Sequence, residues 1–288
     1  MNTITVIGPG AIGGLIAARL GQNPANELTI AARTEFDALR LEAPGEVLES
    51  ASRLVMDPCD TVPADWILVA TKAYDSEAAA AWFSTALGSH TTVAILQNGV
   101  NHVERFARWL PRDRILPVIV DCPAERVAPG HVRQRGPAVL TIPSGDIANA
   151  FRNLFAGTGV ECRVVEDFVS AAWWKLCLNA AGVINALTLK PARIAHDATA
   201  AGLMRSVVEE AAAVGRAEGA DLPPDIADEV IGIYCSHPPD SVNSLHADRA
   251  ANRPMEIEIR NGIIVELGKR HGIATPCNEM AVALLTIE

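Results

Sequence analysis

The feature that most constrains this chain is Gly8-Pro9-Gly10-Ala11-Ile12-Gly13, three glycines set between a β-branched run, Thr3-Ile4-Thr5-Val6-Ile7, and an alanine-rich stretch beginning at Ala11. Glycines at this spacing, straight after a strand and at the start of a helix, suit a turn that receives a pyrophosphate. Gly8 permits the tight turn, Gly10 lets the backbone approach the anion, and Gly13 lets the helix pack closely on the strand, with Gly14 extending the small-residue surface. The unpaired amides that open the helix, at Ala11, Ile12 and Gly13, and the positive end of its dipole then face the phosphates. A tight turn with no ligand is the plainer reading of the same residues.

The turn opens a longer rhythm. Through about residue 165, short β-branched runs alternate with helical stretches, which implies a parallel sheet with helices on both faces. Strands are expected at Ile4 to Ile7, Leu28 to Ala31, Trp66 to Ala70, Val93 to Leu96, Ile115 to Val120, Val139 to Ile142 and Arg163 to Val165. Ala11 to Leu20, Glu77 to Leu87 and Val103 to Trp109 read as helices by apolar spacing. After Asp167 helical patterns dominate: Ala171 to Asn179 and beyond, Ala200 to Glu218, Asp225 to Tyr234, and Glu256 to His271. The fold class is therefore α/β, a Rossmann-type doubly wound parallel sheet followed by a mainly helical part. The boundary is expected near Glu166 to Ser170, giving domains 1–167 and 168–288. A length of 288 residues fits two domains.

A formal charge of -10 argues against a broad grip on nucleic acid or anionic lipid. No apolar run reaches the length needed to cross a bilayer, so no membrane association is expected. The N-terminus enters a strand-like run at once, leaving no room for a cleaved leader, which implies a cytoplasmic protein. Six cysteines lie far apart, with no CxxC pair and no zinc-type spacing, and are expected to stay reduced. No metal site is expected.

About twenty residues beyond the glycines, a site for NAD normally carries an acid that holds the ribose hydroxyls. This sequence has Ile30-Ala31-Ala32-Arg33-Thr34. The Arg33 guanidinium accepts no hydrogen bond but suits an added phosphate, which favours NADPH over NADH, with Thr34 as a supporting donor. The alternative leaves Arg33 on a solvated loop and gives the acid's role to Glu35.

Thr71-Lys72-Ala73 and Gln97-Asn98-Gly99-Val100 each follow an expected strand, and ligands of doubly wound sheets bind beyond the carboxyl ends of the strands. Lys72 and Asn98 are thus candidates to meet the cofactor. Lys72 pointing to solvent, and Asn98-Gly99 as a bare turn, are the competing readings. In Trp174-Lys175-Leu176-Cys177-Leu178-Asn179, the lysine and asparagine are four apart and share a helix face. Lys175 alone would read as a snorkelling surface lysine. Later come Ser244-Leu245-His246-Ala247-Asp248 and Arg253-Pro254-Met255-Glu256-Ile257-Glu258, then Asn261-Gly262.

In this order these segments, with the closing His271-Gly272-Ile273-Ala274-Thr275-Pro276, resemble the ketopantoate reductase family over nearly the whole chain. The resemblance implies reduction of a 2-keto acid to a 2-hydroxy acid by NADPH, with ketopantoate giving pantoate on the route to pantothenate and coenzyme A. It assigns Lys175 as general acid, Ser244 to the substrate carboxylate, Asn98 and Asn179 to the nicotinamide and substrate, and Glu256 to the substrate hydroxyl and the lysine. Residue chemistry agrees: hydride arriving at a ketone carbon leaves negative charge on oxygen, which an ammonium stabilises and protonates. Ser244 as a helix cap and Glu256 on a solvated face are the duller alternatives. His246 and His271 receive no proton-transfer role, and Asp248 matches the family acid or holds a local turn. A homodimer is a family-level expectation.

One departure stands out. Biosynthetic members carry a second asparagine four residues after the first, whereas Asn179 and Asn185 are six apart. At about 100° per residue the two extra positions swing Asn185 roughly 200° around a regular helix, unless Gly182 marks a break. Asn185 is therefore a substrate-side candidate in doubt. Two other activities stay open, a reductase of a different keto acid and a hydroxy or amino acid dehydrogenase. A third possibility is a non-catalytic NADP-binding sensor.

Overall fold

The computed structural model describes residues 1–50 and 52–287. The chain forms two compact units, Met1–Glu166 and Asp167–Glu288. The first is built on a six-stranded parallel sheet in the order Arg53–Val55, Asn26–Ala31, Asn2–Ile7, Ala64–Val69, Leu87–Ile95, Ile115–Pro117. Counted along the chain this is 3-2-1-4-5-6, the doubly wound order whose direction reverses between Asn2–Ile7 and Ala64–Val69. Successive residues of the central strands enter opposite cores. Ile4, Val6, Leu68 and Ala94 join one, and Ile7, Ile67, Val69 and Val93 the other. Burial on both faces is why these strands read as continuous apolar runs.

The two faces are covered differently. One carries short helices, with Ala79, Phe83 and Phe106 in its core. The other carries the helix Ala11–Leu20 and two further sheets, and the strands expected at Val139 to Ile142 and Arg163 to Val165 lie in one of these rather than in the parallel sheet. A four-stranded sheet joins Ala124–Ala128, His131–Gln134, Leu39–Ala43 and Glu46–Ser50. Its strands escaped notice because their outer faces are charged: Arg133 pairs with Glu42 at 2.9 Å and with Glu125 at 3.0 Å, while Leu39, Leu41 and Val132 go inward. A three-stranded sheet joins Val160–Val165, Ala138–Pro143 and Ile119–Asp121. The strand expected from Ile115 to Val120 is thus two strands in different sheets, parted at Val118, whose amide still donates to the Ile95 carbonyl at 3.1 Å. The helix expected from Glu77 to Leu87 is likewise two short ones, Ser76–Ala80 and Phe83–Ala86.

The second unit is helical. Phe168–Ala181 packs against Ala198–Ala217, which packs in turn against Ile226–Ser236 and Ile263–His271. The long helix expected from Glu256 begins instead with a wide turn over Glu258–Gly262, closed by Gly262 N donating to Ile257 O at 3.0 Å, and only then becomes regular. The extra residue per turn lets two neighbours, Arg260 and Asn261, both turn inward. Among the described residues no helix is long and apolar enough to cross a membrane.

Candidate active site

In the first unit the glycines occupy the point where the strand order reverses. Gly8 has φ +86°, and a Cβ there would lie 2.6 Å from Thr71 Cγ2. A Cβ on Gly13 would lie 2.2 Å from the Gly8 carbonyl oxygen and 3.0 Å from Ala70 Cβ, so helix and strands meet at a distance no side chain tolerates. Gly10 differs: nothing lies within 4 Å of its would-be Cβ. The open space sits over the middle glycine, at the N-terminus of Ala11–Leu20. The first intrahelical bond there is Gly14 N to Gly10 O at 2.9 Å, so the amides of Ala11, Ile12 and Gly13 precede it.

Two neighbouring strand ends are tied together beside this turn. Gln97, buried, donates to Thr71 Oγ1 at 3.0 Å and to the Lys72 carbonyl at 3.3 Å. Its own oxygen accepts from Ser76 and, at 2.7 Å, from Arg105. Arg105 also donates to the Asn98 carbonyl at 3.2 Å and to Asn101 at 2.6 Å, which fixes the turn bearing Asn98. Gly99 follows with φ +108°. Lys72 and Asn98 are both half-buried. His102 hydrogen-bonds the Gln97 carbonyl at 2.8 Å, and burial, aided by the Arg105 charge, pushes its imidazole down to about 4. It is a neutral brace.

Arg33 stands at the end of the second strand with 77% of its side chain exposed and pairs with Asp75 at 2.8 Å. Asp75 comes from the loop that carries Lys72, so the cation is held towards the turn. Thr34 and Glu35 are exposed beside it.

In the second unit Lys175 and Asn179 lie on Phe168–Ala181 along a half-exposed stripe, with Trp173, Leu176, Cys177 and Ala180 buried on the other side. The helix ends at Gly182, and Val183–Thr188 starts anew, so Asn185 does not follow a continuous helix. Asn185 is 1% exposed; its amide donates to the Lys190 carbonyl at 3.0 Å, while its oxygen has no partner.

Ser244 is exposed, and the cap of its helix is not Ser244 but Asn243, whose side chain accepts from His246 N at 2.9 Å. Glu256 is 6% exposed, which removes the solvated-face reading. Asp248 is buried and pairs with Arg253 at 2.9 Å. His246 is buried, and His271 pairs with Glu218.

Two family models cover the chain, ketopantoate reductase PanE/ApbA over residues 4–146 and the ketopantoate reductase PanE/ApbA C-terminal model over residues 167–287. The chain belongs to the ketopantoate reductase family. A family relative, the 2-dehydropantoate 2-reductase of Caulobacter vibrioides, is 53% identical and aligned over 99% of this chain and 98% of its own. That of Mycobacterium tuberculosis is 37% identical over 98% of this chain and 96% of its own. Among solved structures, a PanE/ApbA family ketopantoate reductase from Ralstonia eutropha JMP134 superposes with a TM-score of 0.90 at 31% identity, covering 98% of this chain and 96% of that one.

Sequence reasoning gave no role to Asp75, Gln97 or Arg105, nor to Arg260. Arg260 did leave a trace. Arg260 and Asn261 fall at helical spacing between the apolar Ile257 and Ile264, and a charge on a stripe so flanked is a candidate site residue.

Proposed function

We propose that this protein reduces ketopantoate to pantoate with NADPH. The observation that carries the reading is the end-to-end likeness, in both units, to the 2-dehydropantoate 2-reductase of Caulobacter vibrioides. The residues present suit the dinucleotide: the space over Gly10 admits a group that Gly8 and Gly13 could not, and the helix amides face it. When bound, NADPH supplies the hydride for the keto carbon.

The turn Gly8 to Gly13 holds the pyrophosphate, and Arg33, steadied by Asp75, holds the extra phosphate, with Lys72 as a second cation. Asn98, fixed through Arg105 and Gln97, orients the nicotinamide side and the substrate. The Lys175 ammonium donates a hydrogen bond to the ketone oxygen and passes its proton there as negative charge builds. Glu256 accepts hydrogen bonds from that lysine and from the product hydroxyl, and Asn179 and Ser244 donate to the substrate. Asn185 is left out of this set because its amide is committed to Lys190. We place the enzyme in the cytoplasm, whose reducing conditions suit six cysteines that form no disulfide among the described residues.

The test is consumption of NADPH by purified protein with ketopantoate, with pantoate identified by mass spectrometry. Tight NADPH binding without reduction of ketopantoate or any related 2-keto acid would overturn the reading in favour of a sensor. Turnover confined to another 2-keto acid would keep the chemistry and move the substrate.

A further inference from the structure

The second unit buries a cation that the steps above do not use. Arg260 is 4% exposed and lies in the wide turn Glu258–Gly262. Its Nη2 donates to Ser244 Oγ at 2.8 Å, its Nε has no partner, and no carboxylate among the described residues pairs with it. A buried guanidinium without a counter-charge is costly, and such groups are kept where an anion completes them.

Two of the groups beside it, Tyr234 and Asn243, are neutral. Tyr234 is buried, and burial pushes its phenol up to about 12, against the opposing charge of Arg260. That phenol donates to the Leu178 carbonyl at 3.2 Å. Asn243 spends its amide on the Gly182 carbonyl at 3.0 Å. The Ser244 hydroxyl accepts from Arg260, which leaves its own hydrogen to donate elsewhere, and Ser244 is exposed. A cation and an O–H donor therefore sit side by side at the surface end of a buried arginine. The turn is also pinned to the helix of Lys175: Asn261 donates to the Ala180 carbonyl at 3.3 Å, one residue beyond Asn179, and to Asn278 at 2.9 Å.

We propose that Arg260 is a specificity-determining residue that, together with Ser244, binds the carboxylate of the 2-keto acid. This rests on the substrate class proposed above. A guanidinium with a neighbouring hydroxyl matches the two charged oxygens of a carboxylate and holds a neutral ester, which lacks the charge and the second equivalent acceptor, far more weakly.

The experiment compares the unsubstituted enzyme with Arg260→Met and Arg260→Lys, using NADPH with ketopantoate, with 2-ketoisovalerate and with the methyl ester of the latter. For Arg260→Met the KM for both acids should rise roughly 10- to 100-fold, the loss of a charged hydrogen bond. The KM for the ester should change by less than about threefold, and NADPH affinity should stay unchanged. Arg260→Lys, which keeps the charge but not the fork, should recover part of the acid preference, and it serves alone if the methionine variant fails to fold. Acid and ester declining together would assign Arg260 to structure, and an unchanged KM for the acids would remove it from the site. Equilibrium titration with pantoate in the presence of NADP separates this from the broader reading. Pantoate binding that Arg260→Met loses upholds the arginine's role even where no turnover is seen.

Discussion

Replacing Gly10 and Gly13 singly by alanine separates ligand approach from packing within one turn. At Gly13 the new Cβ would sit 2.2 Å from the Gly8 oxygen, roughly 1 Å inside ordinary contact, so the start of Ala11–Leu20 must shift by a comparable distance. A gap of that size forfeits about a quarter to a half of each affected contact, and overpacking of this kind costs about 1–3 kcal/mol. The better helix propensity of alanine offsets about 1 kcal/mol of that. A net loss of up to about 2 kcal/mol lowers Tm by up to roughly 8 °C for a unit of this size. At Gly10 the backbone has φ -74° and ψ -155°, which alanine adopts, and its Cβ meets nothing within 4 Å. Stability should change by less than about 1 kcal/mol. The same methyl group fills the space over the helix amides, and losing one charge-assisted hydrogen bond weakens NADPH binding by about tenfold or more. Thermal unfolding and fluorescence titration with NADPH read the two effects. Equal losses of Tm in both variants, or an unchanged NADPH Kd in Gly10→Ala, would refute the argument that the open glycine is the ligand side of the turn.

Lys175→Ala should lower kcat by about 10²- to 10⁴-fold in steady-state assays, with NADPH Kd preserved in a direct titration. Arg33→Asp should weaken NADPH far more than NADH, since it sets a repelling charge where a phosphate partner stood; equal loss for both cofactors rules Arg33 out as the phosphate reader. His102 titrates near 4 when folded and near 6.5 when unfolded, so between these values only the unfolded chain takes up the proton. Its contribution is intact above pH 6.5 and falls as pH drops towards 4, by roughly 3 kcal/mol in all. Denaturant unfolding across that window should show the slope in the native protein, and His102→Asn should flatten it.

Legibility followed the range of the interactions. The glycine turn and Arg33 lie within one βαβ unit, where spacing along the chain is spacing in the fold. The central strands were readable because both faces are buried. Leu39–Ala43 and Glu46–Ser50 were not, because Glu42 is explained only by Arg133, some ninety residues further along the chain, and Glu46 by Arg19. Asp146–Leu154 buries Ala148, Phe151 and Leu154 at helical spacing, a pattern present in the sequence and passed over. Lys175 and Asn179 share a helix face because one turn separates them, whereas the fate of Asn185 depended on where the helix broke.

The sequence by itself determined the nucleotide turn, the alternation that builds a doubly wound sheet, and the family to which the motifs belong, since each is written in neighbouring residues. Tertiary structure decided which glycine stays open, that Asp75 steadies Arg33, and that Arg260 is buried against Ser244 without a counter-charge. Those facts depend on what the folded chain brings near each group and keeps from water, and a charge acquires its meaning from that surrounding rather than from its place in the string.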